Sequence, residues 1–149
     1  MKNEPFQGTW KLNIPASTLL FAAPRSVMLN IEVVEESVII TENSISAEGI
    51  SEAVRIEAKF NDEVYPVIGS SIADGFAIRC INAERWETQV FKSGEKIFSA
   101  ILVSSADGQS FREDCKTILA DGTRARMSLV YERYNNETST NCKKSWDKK

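Results

Sequence analysis

The sequence contains no histidine among its 149 residues, and this absence removes several kinds of active site. A haem held by a proximal histidine, a histidine-ligated zinc ion and a nucleophile activated by histidine all require that side chain. Adjacent acidic residues such as Glu113 and Asp114 would point to opposite faces of a strand, so they cannot act as an acid–base pair, and we expect them on solvated surfaces. We therefore expect no metal, no cofactor and no enzymatic activity.

Cysteine is also scarce, with three residues at positions 80, 115 and 142 and no Cys-x-x-Cys spacing. An odd number of cysteines without metal-ligand spacing is typical of reduced thiols in the cytosol, and a zinc site is not expected. The first two cysteines are interpreted as small core residues. The polar start of the chain, residues 1–5, does not look like a secretory signal, so we expect a cytoplasmic protein, or a secreted one if a signal peptide was removed from a longer precursor.

Long apolar runs and basic stretches are absent as well. No segment approaches the roughly 20 apolar residues that a membrane helix needs, so stable membrane insertion is not expected. The net charge is −3 and lysine and arginine are interleaved with acids, which argues against a nucleic-acid partner. Residues 135–149 are polar and predicted to be a disordered tail, leaving residues 1–134 as a single domain.

What the sequence does contain is a steady succession of short alternating segments. Turn residues recur at intervals, as in Asp107-Gly108 and Asp121-Gly122, and no helix-length pattern separates the strands. This rhythm favours an all-β, up-and-down antiparallel barrel of eight to ten strands. The connection over residues 14–24 is predicted to hold one short helix that starts near Pro15 or Ser17. The predicted strands are 6–13, 25–34, 37–45, 51–60, 63–68, 76–82, 85–92, 95–104, 109–118 and 123–133.

The two ends of this pattern are predicted to meet. Gly8 allows close backbone approach at the start of the first strand, and Trp10 presents an indole face that an arginine can cover. If the first and last strands pair, Arg133 is the natural partner of Trp10, and the sheet closes into a barrel. We interpret Gly8, Trp10 and Arg133 as structural residues of this closure.

Phe6-x-Gly8-x-Trp10-Lys11-Leu12 at the start and Val130-Tyr131-Glu132-Arg133 at the end resemble the terminal motifs of the calycin group. This group comprises the lipocalins and the intracellular fatty-acid-binding proteins, and Tyr65-Pro66-Val67 also resembles bacterial lipocalin-like proteins of unknown function. The resemblance implies a barrel that holds a small hydrophobic ligand. It also leaves open one disulfide from Cys142 to a strand, as in some secreted lipocalins.

The candidate ligand-binding residues follow from the predicted inward face of the last strand. An inward Tyr131 brings Met127 and Leu129 inward with it, and Leu129 stands where fatty-acid-binding proteins carry an arginine. Either Arg79 or Arg112 could replace that arginine if it points inward, although the interpretation that both face water is favoured. Two aromatic residues complete the predicted lining, namely Trp86 and Phe98.

These features predict a monomer that reversibly binds a small hydrophobic or amphipathic molecule, such as a fatty acid or similar lipid, inside the barrel. The alternative is a packed barrel that acts through its surface as a partner-binding or structural domain. A third hypothesis, isomerisation of a bound ligand, would need a reactive side chain, and only Cys80, Cys115 or Tyr131 could supply one.

Overall fold

The protein is described by a computed structural model over residues 4–134, in which ten antiparallel strands form one closed barrel. Each strand pairs with its neighbour in sequence, and the last strand pairs with the first, so the predicted all-β up-and-down barrel is confirmed. The strands are β1 (Gly8–Leu12), β2 (Ser26–Val34), β3 (Ser37–Ile45), β4 (Ser51–Lys59), β5 (Tyr65–Ile68), β6 (Gly75–Asn82), β7 (Arg85–Lys92), β8 (Glu95–Ser104), β9 (Ser110–Ile118) and β10 (Arg124–Arg133). Residues 135–149, which include Cys142 and the predicted tail, lie outside the described part.

The predicted helix after β1 is wrong, since no helix occurs within residues 4–134. β1 is half the length of β10, so the upper part of β10 needs other hydrogen-bond partners. Thr18 forms a bridge with Ser128, and the Ser17 hydroxyl accepts a hydrogen bond from the backbone N–H of Val130. This segment therefore runs extended along β10 and completes the wall of the barrel above β1.

The barrel closes where the first and last strands pair, with Trp10 opposite Arg133. The Arg133 guanidinium lies 4.2 Å from the Trp10 ring centroid and donates hydrogen bonds to three backbone carbonyls, those of Pro5, Gln7 and Gly108. The Trp10 indole N–H donates to the carbonyl of Phe6 at 2.9 Å. One side chain thus ties the start of the chain, a hairpin loop and β10 together.

Above Arg133, six aromatic side chains fill this end of the barrel, and we call them the base cluster. Their ring centroids lie 4.3–5.6 Å apart in tilted, edge-to-face and stacked pairs, the geometries that aromatic rings prefer. The members are Phe6, Trp10, Phe60, Trp86, Phe111 and Tyr131. Because five of the six are fully or almost fully buried, this end of the barrel is sealed.

The two described cysteines are free thiols. Cys115 is buried on the inward face of β9, as expected of a core residue. Cys80 is exposed near the end of β6, where the pairing with β7 becomes irregular, so the expectation that it lies in the core is wrong.

Substitution of Arg133 by methionine tests the closure. We expect Arg133→Met to lower the free energy of unfolding by roughly 3 kcal/mol, because three carbonyls lose a charged donor and the indole loses its cover. Urea denaturation measures the loss. The control is Arg55→Met, which removes an exposed arginine paired with Glu57 and should cost less than about 1 kcal/mol. Equal losses in the two variants would contradict the role of Arg133.

Candidate functional site in the upper lumen

The space above the base cluster, which we call the upper lumen, is walled by the inward-facing side chains of the strands. Several of these residues are apolar and surrounded by strands, yet only partly buried. Side chains keep accessible surface inside a wall only when they border a space. The half-buried apolar residues are Ile40, Val54, Ile56, Val67, Val90, Phe98 and Leu129.

At the open end, a cleft of about 620 Å³ lies where β8, β9 and β10 begin or end. Its inner wall includes Phe98, Thr117 and Ala125, which share the inward face of their strands with the buried Ala100, Cys115 and Met127. A cleft of this size matches the pockets that hold small organic ligands. Four cations stand around it, namely Lys96, Lys116, Arg124 and Arg126.

Two glutamates point into the upper lumen because the strand register requires it. Glu42 on β3 pairs with the buried Leu29, and Glu113 on β9 pairs with Leu102, which is also buried. Directly paired residues of neighbouring strands share a face, so both carboxylates face inward. Three strands separate β3 from β9 on one side of the barrel and five on the other, which places the glutamates nearly opposite each other.

The environment changes the acidity of these carboxyl groups. Burial, and then the negative charge of Glu42, raises the pKa of Glu113 to about 7. Burial, and then the charge of Glu52, raises the pKa of Glu42 above its ordinary value. Both carboxyl groups of the lumen are therefore harder to ionise than a solvated glutamate, and each disfavours the negative charge of the other.

Tyr131 and Cys115 border the same space. The Tyr131 ring stacks on Phe111 with centroids 5.0 Å apart, and burial followed by the charge of Glu113 raises the pKa of its hydroxyl. Burial and the Glu113 charge also raise the pKa of the Cys115 thiol. Both groups stay protonated near neutral pH, so neither is prepared to act as a nucleophile.

The structure separates the residues that sequence analysis proposed for the ligand. Met127, Leu129 and Phe98 face the upper lumen, and Tyr131 lies at its lower boundary. Trp86, only 2% exposed, belongs instead to the base cluster, where Phe6 and Phe60 pack on its ring.

The two arginines that were candidates for ligand recognition do not face the lumen. Arg79 forms an ion pair with Glu87 on the outer surface, and Arg112 pairs with Asp114 at 3.0 Å. All four side chains keep more than a third of their surface exposed. The prediction that Arg79 or Arg112 points inward to bind the ligand is therefore wrong. Each arginine instead pairs with a carboxylate on the solvated outer face.

Glu42 and Glu113 were not predicted as site residues, and the pair Glu113-Asp114 was expected on solvated surfaces. The alternation within β9 could have identified Glu113, because Phe111 and Cys115 face inward and Glu113 lies between them on the same face. Glu42 follows Val38 and Ile40 on β3 in the same way.

Comparison with known proteins identifies the fold. No protein-family model matches the sequence, and no curated protein does. Among solved structures, lobster apocrustacyanin A1 is similar with a TM-score of 0.51 at 12% identity, over 99% of this chain and 72% of that one. Apocrustacyanin C2 is similar with a TM-score of 0.51 at 14% identity, over 97% and 71% of the two chains.

These similarities and the closed ten-stranded barrel of residues 4–134 show a lipocalin-like fold. Within the same residues, no helix has the length and apolar character needed to cross a membrane.

Replacement of Glu113 by glutamine tests the buried acid. Because the folded pKa of about 7 exceeds the ordinary value of 4.5, the folded state binds more protons than the unfolded state between these values. Stability of the unaltered protein should therefore fall as pH rises from 4.5 to 7 and then level off. Glu113→Gln should make this fall smaller, since the raised pKa of Glu42 leaves part of it, and the variant should be more stable above pH 7 by roughly 3 kcal/mol at most.

Urea denaturation across this pH range measures the difference. The matched control is Glu57→Gln on the outer face of β4, which should follow the unaltered protein at every pH. Parallel curves for Glu113→Gln and the unaltered protein would contradict the burial of the carboxyl group.

Proposed function

We propose that the protein reversibly binds a small hydrophobic or amphipathic molecule in the upper lumen. The observation that carries this proposal is the contrast between the sealed base cluster and the partly buried apolar side chains above it, such as Ile56 and Leu129. Burial of an apolar ligand against those side chains supplies the affinity, at roughly 25 cal/mol for each Å² removed from water. We place the entrance at the cleft between β8, β9 and β10, because Phe98, Thr117 and Ala125 of its lining are on the inward phase of their strands.

The alternative, a barrel that is packed throughout and acts through its surface, fits this lumen less well. Packed cores exclude carboxylates unless these are paired, because burying an unpaired charge is costly. Glu42 and Glu113 carry charges of the same sign and face the same interior. Tightly packed aromatic side chains, which a fully packed barrel would require, are found in the base cluster and describe only that end of the barrel.

A fatty acid is the finer candidate that the family resemblance implies, and the charges restrict how it would bind. With its carboxylate inward it would meet Glu42 and Glu113, whose charges repel it. With its carboxylate outward it would reach the cations at the cleft, including Lys116 and Arg126. The outward orientation is therefore the favoured one for a fatty acid in this lumen.

The remaining parts of the proposal concern activity, state and location. We propose binding without catalysis, which the raised pKa of the Cys115 thiol supports because a thiolate would be scarce. We also propose a cytoplasmic monomer, and the exposed free thiol of Cys80 is compatible with a reducing compartment.

A substitution that fills the lumen tests the proposed site. Val54→Trp adds an indole on the inward face of β4 and should abolish binding of a fluorescent apolar probe, whereas Ala53→Trp adds the same group on the exposed outer face and should leave binding unchanged. Probe titration measures affinity, and circular dichroism checks that both variants keep the fold. Equal probe binding by the two variants, or no binding by the unaltered protein, would overturn the proposal.

A further inference from the structure

The electrostatic character of the upper lumen points to a particular class of ligand. Glu42 and Glu113 face the lumen from opposite walls, and Glu52 lies on the same inward face nearer the open end. Within residues 4–134, the inward positions of β3, β9 and β10 above Trp10 carry no lysine or arginine, and Lys92, which continues the inward phase of Val90, is exposed at the upper end of β7. Acidic groups in a partly desolvated space without a basic partner favour a ligand that brings the positive charge.

A second observation places a hydrogen-bonding group beside the acids. Tyr131 is only 4% exposed, and its hydroxyl forms no hydrogen bond with any residue of the described part. Every fully buried side-chain oxygen or nitrogen of the described part has a hydrogen-bond partner. The Tyr131 hydroxyl has none, so its oxygen is not fully buried. It therefore keeps accessible surface toward the interior, where the charges of Glu113 and Glu42 act on it. A buried tyrosine without a protein partner is available to a ligand.

We infer that the upper lumen selects ligands that combine an apolar body with a protonated amine, and that the amine lies between Glu113, Glu42 and the Tyr131 hydroxyl. This inference rests on the lumen binding proposed above. An ammonium group has three donors and one positive charge, which match two carboxylates and a hydroxyl oxygen. The apolar body lies against the surrounding aliphatic side chains, among them Leu129 and Val54.

The cations at the cleft do not oppose this arrangement. Lys96, Lys116, Arg124 and Arg126 are exposed, so salt screens their charges over about 10 Å. The interior carboxylates are partly desolvated, and charges interact more strongly where water is excluded. A protonated amine at the base of the upper lumen therefore interacts strongly with the lumen carboxylates and only weakly with the cations at the cleft.

The inference makes binding dependent on pH. The groups that act on Glu113 are Glu42 from β3, Tyr131 from β10, its strand neighbour Cys115 and the outer-face Asp114. The inward residues of β8 beside it, Ala100 and Leu102, do not titrate. A bound ammonium group favours the ionised form of Glu113, so amine binding near pH 7 should release protons, and affinity should fall as pH drops below 7.

Three ligands with the same alkyl chain and different head groups test the inference, namely decylamine, decanol and decanoate. We expect decylamine to bind the unaltered protein more tightly than either of the others by about tenfold or more, the amount associated with a hydrogen bond to a charged group. Isothermal titration calorimetry in buffers of different ionisation enthalpy measures both affinity and proton release. Glu113→Gln should remove this preference and the proton release, and the outer-face control Glu57→Gln should alter neither.

The outcomes separate this inference from the proposed function. Decanol binding as tightly as decylamine, or an unchanged preference in Glu113→Gln, would overturn the amine inference while the lumen binding stands. Tighter binding of decanoate would overturn it as well and would favour the outward-facing carboxylate at the cleft. Failure of all three ligands to bind would overturn both proposals.

Discussion

The structure depends on the contact between Arg133 and the beginning of the chain. A guanidinium that covers an indole and donates to three backbone carbonyls holds β1 against β10, although β1 has only five residues. Gly8 makes room for it, because a Cβ atom there would lie 2.5 Å from Arg133 Nη1 and the backbone φ of +132° is one that other residues rarely adopt. Without this closure the sheet would have two open edges and no interior.

Closure at one end also explains why the lumen is divided. The base cluster takes up the volume directly above Arg133, with Trp10 and Phe111 packed edge to face at 4.8 Å. Above it the wall is mainly aliphatic apart from Phe76 and Phe98, it carries two glutamates, and several of its apolar side chains are only partly buried. A carboxyl group such as that of Glu113 costs stability when it ionises there, and this cost is understandable if the group serves a ligand.

Much of the fold could be predicted from the sequence because the alternation of apolar and polar residues, with a period of two, directly indicates β-strands. The observed strands agree with the predicted ones within two residues at every end, and Arg133 was predicted as the partner of Trp10 if the first and last strands pair. The helix over residues 14–24 was wrongly predicted because local helix propensity was the only guide there. In the closed barrel this segment instead forms hydrogen bonds with β10, which local propensity cannot predict.

The site was harder to predict than the fold. Arg79 and Arg112 were candidates because they sit among apolar neighbours in sequence, but their strand phase turns them toward Glu87 and Asp114 on the outside. Glu113 was passed over because its neighbour is acidic too, although only one of two adjacent residues can face water in a half-buried strand. The buried residues of each strand show which alternate positions face inward. This information places Arg79 and Arg112 outside the barrel and Glu113 inside it.

The most direct test of the central claim, a ligand space above a sealed base, is the position of a bound neutral ligand. Nuclear Overhauser contacts between decanol and methyl-labelled protein would locate it. The account predicts contacts to the methyl groups of Val54, Ile56 and Leu129, which line the upper lumen. Contacts confined to Ile118 at the exposed rim would place the ligand on the surface and contradict the account.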